Sequence, residues 1–324
     1  MSGNRETTEV VTTSKNSDEE QEVIATATQD TSDVQCMTQN YRFQLPYKMR
    51  PEAVMPVASD STEYNMKHVQ RGHAIIFAFN KFHNVSVTAI PSVEDDVKLC
   101  SNAFMHLGFR ISIEWNLSMQ EFSENLRKVA KKDHSICDAL VIVVVSQGGW
   151  DDITNNEYIC TSDDTFYTRD IWNYFTPEKC PSLAGKPKLF FIEAWRGNNV
   201  EKGVLLKPKK ALSVQVDSKA STNEDYVIPL YADTLVFWAS YPGMRSFISK
   251  RNNMKGSVFL HYLAQVLTND SSHEDLTSML LTITRRVATE YESRNTNRAL
   301  CNNKQIPYTV STLMRQVRFY PKYL

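Results

Sequence analysis

The 324-residue chain reads as an α/β protein, a three-layer sandwich in which helices cover both faces of a mostly parallel sheet. Two observations predict that class. Short apolar runs without helical spacing recur along the chain, and the purest of them, residues 139–145, is seven apolar residues in a row, as a strand buried on both faces requires. Between these runs lie stretches whose apolar residues recur at turn spacing, and such alternation is the pattern of a sheet sandwiched by helices.

Taken in order, residues 73–79 form the first apolar run. Ser92 opens a helical pattern carried by Val97, Cys100, Phe104 and Leu107, with Gly108 as its stop. Phe109, Ile111 and Ile113 alternate like a half-buried strand. Ser118 with Glu121 fits a capping box, ahead of one apolar face made by Phe122, Leu126, Val129 and Ala130. Strands follow at 139–145, 189–192 and 234–239. A helix carries Val258, Phe259, Tyr262, Leu263, Val266 and Leu267, and another carries Leu276, Met279, Leu280, Ile283 and Val287. Residues 306–311 and 317–320 read as closing strands. No internal repeat is visible.

Charge divides the chain more sharply than length does. Residues 1–40 hold eight acidic and two basic residues, a local charge of −6, while the whole chain carries −1, which leaves +5 on the rest. The first aromatic is Tyr41. A segment so poor in apolar residues cannot offset its chain entropy, so residues 1–66 are expected to be a disordered acidic tail. No apolar run is long enough to span a membrane and no signal-peptide pattern opens the chain, so a cytoplasmic protein without a membrane partner is expected. The absence of a basic stripe argues against nucleic acid. Cys36, Cys100, Cys137, Cys160, Cys180 and Cys301 are scattered and expected to be free thiols. Asp151-Asp152 and Asp163-Asp164 lack the spacing of a calcium loop, so neither a metal nor a cofactor is expected.

In a doubly covered sheet, ligands sit beyond the carboxyl ends of the strands. Two exits are candidates: Ser146-Gln147-Gly148-Gly149 and Glu193-Ala194-Trp195-Arg196-Gly197. Together with Lys132-Asp133-His134-Ser135, the run 179–192, Val287-Ala288-Thr289-Glu290-Tyr291-Glu292-Ser293 and Lys304-Gln305-Ile306-Pro307, these exits resemble a caspase of the short-prodomain, effector-like kind. The resemblance covers residues 67–324. It implies a caspase-like sandwich with a prodomain-like tail (1–66), a large-subunit part (67–196), an intersubunit linker (197–228) and a small-subunit part (229–324).

The departures from the resemblance carry the functional expectation. A caspase of this pattern has a general-base histidine where this chain has Gln147, and a nucleophilic cysteine where it has Trp195. An amide does not transfer protons near neutral pH and an indole is not a nucleophile, so the chain is expected not to be an enzyme. The N–H groups of Gly148 and Trp195 would remain as a vestigial oxyanion hole. The resemblance also implies a pocket that clamps a substrate aspartate with two arginines and a glutamine. Here those positions are Ile90, Ile248 and Glu193, and an unpaired carboxylate buried among them would be disfavoured by several kcal/mol.

The resemblance implies pairing through the last small-subunit strand, here Gln305, Ile306, Pro307, Tyr308, Thr309, Val310 and Ser311. The partner would be an active caspase paralogue or a second copy of the chain. The expected role is to bind and enhance such a caspase in apoptosis. Two alternatives are a decoy that competes for dimerisation and a hydrolase of altered specificity. Asp217 and Asp225 in the linker are candidate cleavage sites.

Overall fold

The computed structural model describes residues 53–84, 86–203, 228–249 and 254–322. The elements run β1 (Gln70–Ala78), α1 (Val93–His106), β2 (Arg110–Trp115), α2 (Met119–Ala130), β3 (Cys137–Val145), β4 (Gly148–Asp151), β5 (Asn156–Cys160), β6 (Thr165–Tyr167), α3 (Arg169–Asn173) and β7 (Lys188–Glu193). They continue with β8 (Thr234–Trp238), β9 (Ile248–Ser249), β10 (Gly256–Ser257), α4 (Val258–Asp270), α5 (Leu276–Glu290) and β11 (Tyr308–Ser311).

Six strands make the central sheet in the order β11-β8-β7-β3-β1-β2. All neighbours are parallel except β11, which runs antiparallel to β8. The expected α/β sandwich with a mostly parallel sheet is therefore what forms. The pleat divides the apolar run of β3 between two cores: Ala139, Val141, Val143 and Val145 face α1, α4 and α5, while Leu140, Ile142 and Val144 face α2 and α3. Every residue of β3 is buried, which is why its sequence shows no polar alternation.

The helices start as their sequences specify. Ser118 accepts from the Glu121 N–H while the Glu121 carboxylate accepts from the Ser118 N–H, completing the capping box of α2. Ser257 caps α4 and Asp275 caps α5.

Two expectations are corrected. Residues 317–320 form no strand: only Gln316 bridges, to Glu63, while Val317 and Phe319 turn inward to the core. That same bridge draws the end of the expected tail onto the body. The Tyr64 N–H donates to Gln316 O at 3.0 Å, its hydroxyl donates to Asp233 at 2.7 Å, and Tyr64 and Met66 are buried. Residues 64–66 therefore belong with the body and not with the expected tail, because a tyrosine and a methionine there find a core to bury in. Most of residues 1–66, and Asp217 and Asp225, lie outside the described residues.

A buried network closes this end of the molecule. Asp138, fully buried, accepts from Arg71 at 2.8 Å and from Lys322 at 2.7 Å, so the start of β1, the start of β3 and the chain's end meet at one carboxylate.

Candidate functional site

Parallel register sets the two strand exits side by side. Val145, last of β3, lies opposite Glu193, last of β7, and the Ser146 N–H donates to Glu193 O at 3.0 Å. The loops beyond them touch. A side chain on Gly148 would meet Trp195 O at 2.7 Å, and one on Gly197 would meet Gly243 O at 2.2 Å, so glycine is required at both close approaches. Gly148, Gly149, Trp150, Tyr158, Trp195 and Asn198 are among the residues around a cleft of about 470 Å³.

Gln147 is nearly buried, and its amide donates to Thr88 O at 2.7 Å. It fastens the loop that leads to α1 onto the end of β3, a positioning role that needs a donor and no proton transfer. Ser146 donates to Cys160 O at 2.5 Å, anchoring the same exit to β5.

Trp195 is half-buried, with the Arg245 guanidinium over its ring at 4.6 Å. Arg245 also donates to Asn198 at 3.0 Å, so the segment before β9 closes over the exit of β7. Arg196 points the other way. It is buried, donates to Glu157 and to Ser240 O, and lies between Trp238 at 4.2 Å and Tyr308 at 5.1 Å. Burial pushes the Glu157 carboxyl up and Arg196 offsets that in part.

The three positions matched to an aspartate pocket are not equivalent. Glu193 is buried and accepts from the Ser257 hydroxyl, while Ile248, opposite Ser257 in the β9–β10 pair, is 38% exposed. Ile90, by contrast, is 7% exposed and belongs to the apolar core beside α1. Burial raises the Glu193 carboxyl to about 7, against the pull of hydrogen bonds from Ser257 and Ser246.

Sequence reasoning missed a second carboxylate at this place. Asp96 is 1% exposed, accepts from the Ser257 N–H at 2.7 Å, and is raised to about 8 by burial first and by Glu193 second. The signal was present, because Val93, Asp96, Val97 and Cys100 share the buried stripe of α1 and an acid on that stripe needs a reason. Arg245, the clamp over Trp195, was missed as well.

The expected interface strand divides by burial. Gln305 and Pro307 are buried within the chain, and Gln305 accepts from the Phe247 N–H at 2.9 Å and donates to Ala239 O at 2.8 Å. Ile306 and Val310 are 41% and 46% exposed. Tyr308 is partly buried, and Thr309 and Ser311 are exposed. Among the described residues no strand pairs with the outer side of β11. No helix among them is long and apolar enough to cross a membrane.

Comparison with known proteins places the chain in a family context. Residues 71–318 match the family model of the caspase domain, peptidase C14. The chain is 34% identical over 271 residues to caspase-1 of Drosophila melanogaster, covering 83% of this chain and 80% of that one. It is 30% identical to the caspase drICE of the same organism, covering 84% and 76%. The crystal structure of caspase-1 from Spodoptera frugiperda superposes with a TM-score of 0.74 at 31% identity, over 84% of this chain and all of that one.

These relatives correct one expectation. The exchange of histidine and cysteine for Gln147 and Trp195 predicted a chain that is no enzyme. Relatives at 30–34% identity over most of the chain are named caspases, and they point to a protease. Reasoning from two side chains failed because it took the absence of one known pair for the absence of a reaction.

Proposed function

Because the chain belongs to the caspase family, we propose that its outer strand β11 pairs with an active caspase paralogue and that this pairing raises the paralogue's proteolytic activity. The setting this reading implies is apoptotic proteolysis in the cytoplasm. The observation that carries it is the open edge of β11, where Val310 stands exposed and Ile306, two residues before the strand, is exposed as well. Beside that edge lies a groove of about 460 Å³ lined in part by Trp150, Trp172, Val236, Trp238, Tyr308 and Val310. An edge strand offers unpaired N–H and C=O groups, and an apolar groove beside it supplies area to bury.

The same edge has a physical route to the cleft. Tyr308 of β11 stacks on Arg196, and Arg196 is the neighbour of Trp195. A partner that fixes Tyr308 therefore restricts Arg196 and the loop behind it. In the paired paralogue the corresponding ordering shifts its population toward the competent state, provided that the pairing favours that state.

The experiment adds the purified full chain to an active paralogue and measures mass in solution and turnover of aspartate-containing peptides. A complex with raised turnover is expected. A complex with lowered turnover identifies a decoy that occupies the dimer interface. No complex and no change of rate overturns the proposal.

A second reading, a peptidase of altered specificity, is favoured by the named caspases among the relatives. Glu193 at the end of β7 disfavours an aspartate side chain. Screening the chain alone against a peptide library tests it: turnover abolished by one substitution in the cleft supports this reading, and a rate no higher than in buffer removes it.

A further inference from the structure

Asp96 and Glu193 sit in one buried place and reach it from different elements. Glu193 ends β7, Asp96 lies in the first turn of α1, and Ser257 joins them: its N–H donates to Asp96 and its hydroxyl to Glu193. The same Ser257 oxygen accepts from the Leu260 N–H and so caps α4. Ser92, the residue before α1, also donates to Asp96, at 3.3 Å. Gly256 leaves room for the pair. At its φ of +115° a side chain would meet the Asp96 carboxylate at 2.3 Å, so the backbone of β10 lies directly against that carboxylate.

Among the described residues, the groups facing the pair bring no positive charge. From α1 come Asp95, which adds repulsion, and the buried Cys100 thiol, itself raised by burial and by both acids. From the segment before β9 comes Ser246, and from the cap of α4 comes Ser257. Among the described residues neither carboxylate has an ion-pair partner. Two ionised carboxylates at such a place repel each other in a weakly screening interior, and hydroxyl and N–H donors offset only part of that.

We propose that Asp96 and Glu193 hold one proton between them and form an acid clasp that fastens the end of β7, beside Trp195, to the first turns of α1 and α4. The clasp is closed while the proton is present. Alkaline pH removes the proton, sets two like charges against Ser257, and loosens the cap of α4 and the exit that carries Trp195. The direction follows from linkage. Both groups bind protons more tightly folded than unfolded, so the stability they contribute is complete below the ordinary carboxylate range and falls as pH rises toward 8.

Carboxyl-carbon NMR titration of the full chain, labelled at Asp and Glu, tests the clasp. Two coupled carboxyls titrating in the neutral range are expected. Glu193→Gln keeps an acceptor for Ser257 and removes one charge, so the Asp96 midpoint moves down by about one unit or more. Asp96→Asn moves Glu193 down in return. Amide exchange at Leu260 and Trp195 in the wild-type chain rises between pH 6 and 9 by more than the intrinsic tenfold per unit, and the excess disappears in Glu193→Gln. Wild-type carboxyls that both titrate below pH 5, or an Asp96 midpoint unmoved by Glu193→Gln, overturn the proposal. The wild-type titration decides the question even where a variant does not fold.

Discussion

A carboxylate on the apolar stripe of a helix, a glutamine fastened to a backbone carbonyl and a tryptophan under a guanidinium distinguish the two strand exits and what is packed beneath them. Each type was visible in the sequence; the partners were not. Thr88 lies 59 positions from Gln147 and Ser257 lies 161 from Asp96, separations that no periodicity encodes. The pocket reading leads to a prediction at this scale. Hydrogen bonds to charged groups contribute about 1.5–3 kcal/mol each, so a pocket with Ile90 and Ile248 at its arginine positions loses about a hundredfold or more in kcat/KM for aspartate. The double variant Trp195→Cys, Gln147→His is therefore expected to cleave aspartate peptides poorly. Adding Ile90→Arg, Ile248→Arg and Glu193→Gln should raise kcat/KM by that factor. Efficient cleavage by the double variant alone would show that aspartate is recognised elsewhere. Ile90 is the harder of the two positions, because its side chain belongs to the core beside α1.

Elements were legible where one local signal set both ends. In α2 the capping box fixes the start and the stripe Phe122, Leu126, Val129 and Ala130 fixes the face, and all four are buried as the spacing requires. Ser118→Ala removes one side of the box and is expected to cost about 1 kcal/mol. In a domain of this size that corresponds to a Tm lower by about 2–4 °C, read by thermal unfolding. Ser118→Asp, which keeps a capping acceptor, should recover most of it. No loss in Ser118→Ala would mean that tertiary packing alone holds the start of α2. The three-stranded sheet β4-β5-β6 was not legible, since its strands are four, five and three residues long and their alternation is broken by glycines and by polar residues that bond locally. Residues 317–320 show the opposite error. Their alternation correctly marks Val317 and Phe319 as buried, with Phe319 packed edge-on to Phe109 at 6.1 Å, but a period of two reports burial and not pairing.

At the scale of the whole molecule, the sheet has two ends that differ in kind. At one end β2 is partly exposed on both faces; at the other, the segment entering β11 keeps Gln305 and Pro307 inside the chain, while Ile306 of that segment and Val310 of β11 are exposed. The residue pattern at 306–311 marked this strand. Its burial pattern separates the residues that hold it to the body from those that are exposed. A charge placed on an exposed edge strand is the means by which sheets block further pairing, so Val310→Asp tests the edge without disturbing the core. Val310 lies opposite Val236 of β8, and the main-chain bonds of that pair survive the substitution. Stability should change by no more than about 0.5 kcal/mol, as for an exposed position. In a two-fold pair the new carboxylate meets its counterpart across the seam, and in a mixed pair it meets an apolar strand. Both arrangements disfavour association. Sedimentation should therefore show the variant folded but unpaired, and turnover by an added active paralogue should stay at its value without the chain. A folded Val310→Asp variant that still assembles and still raises turnover would move the interface away from β11.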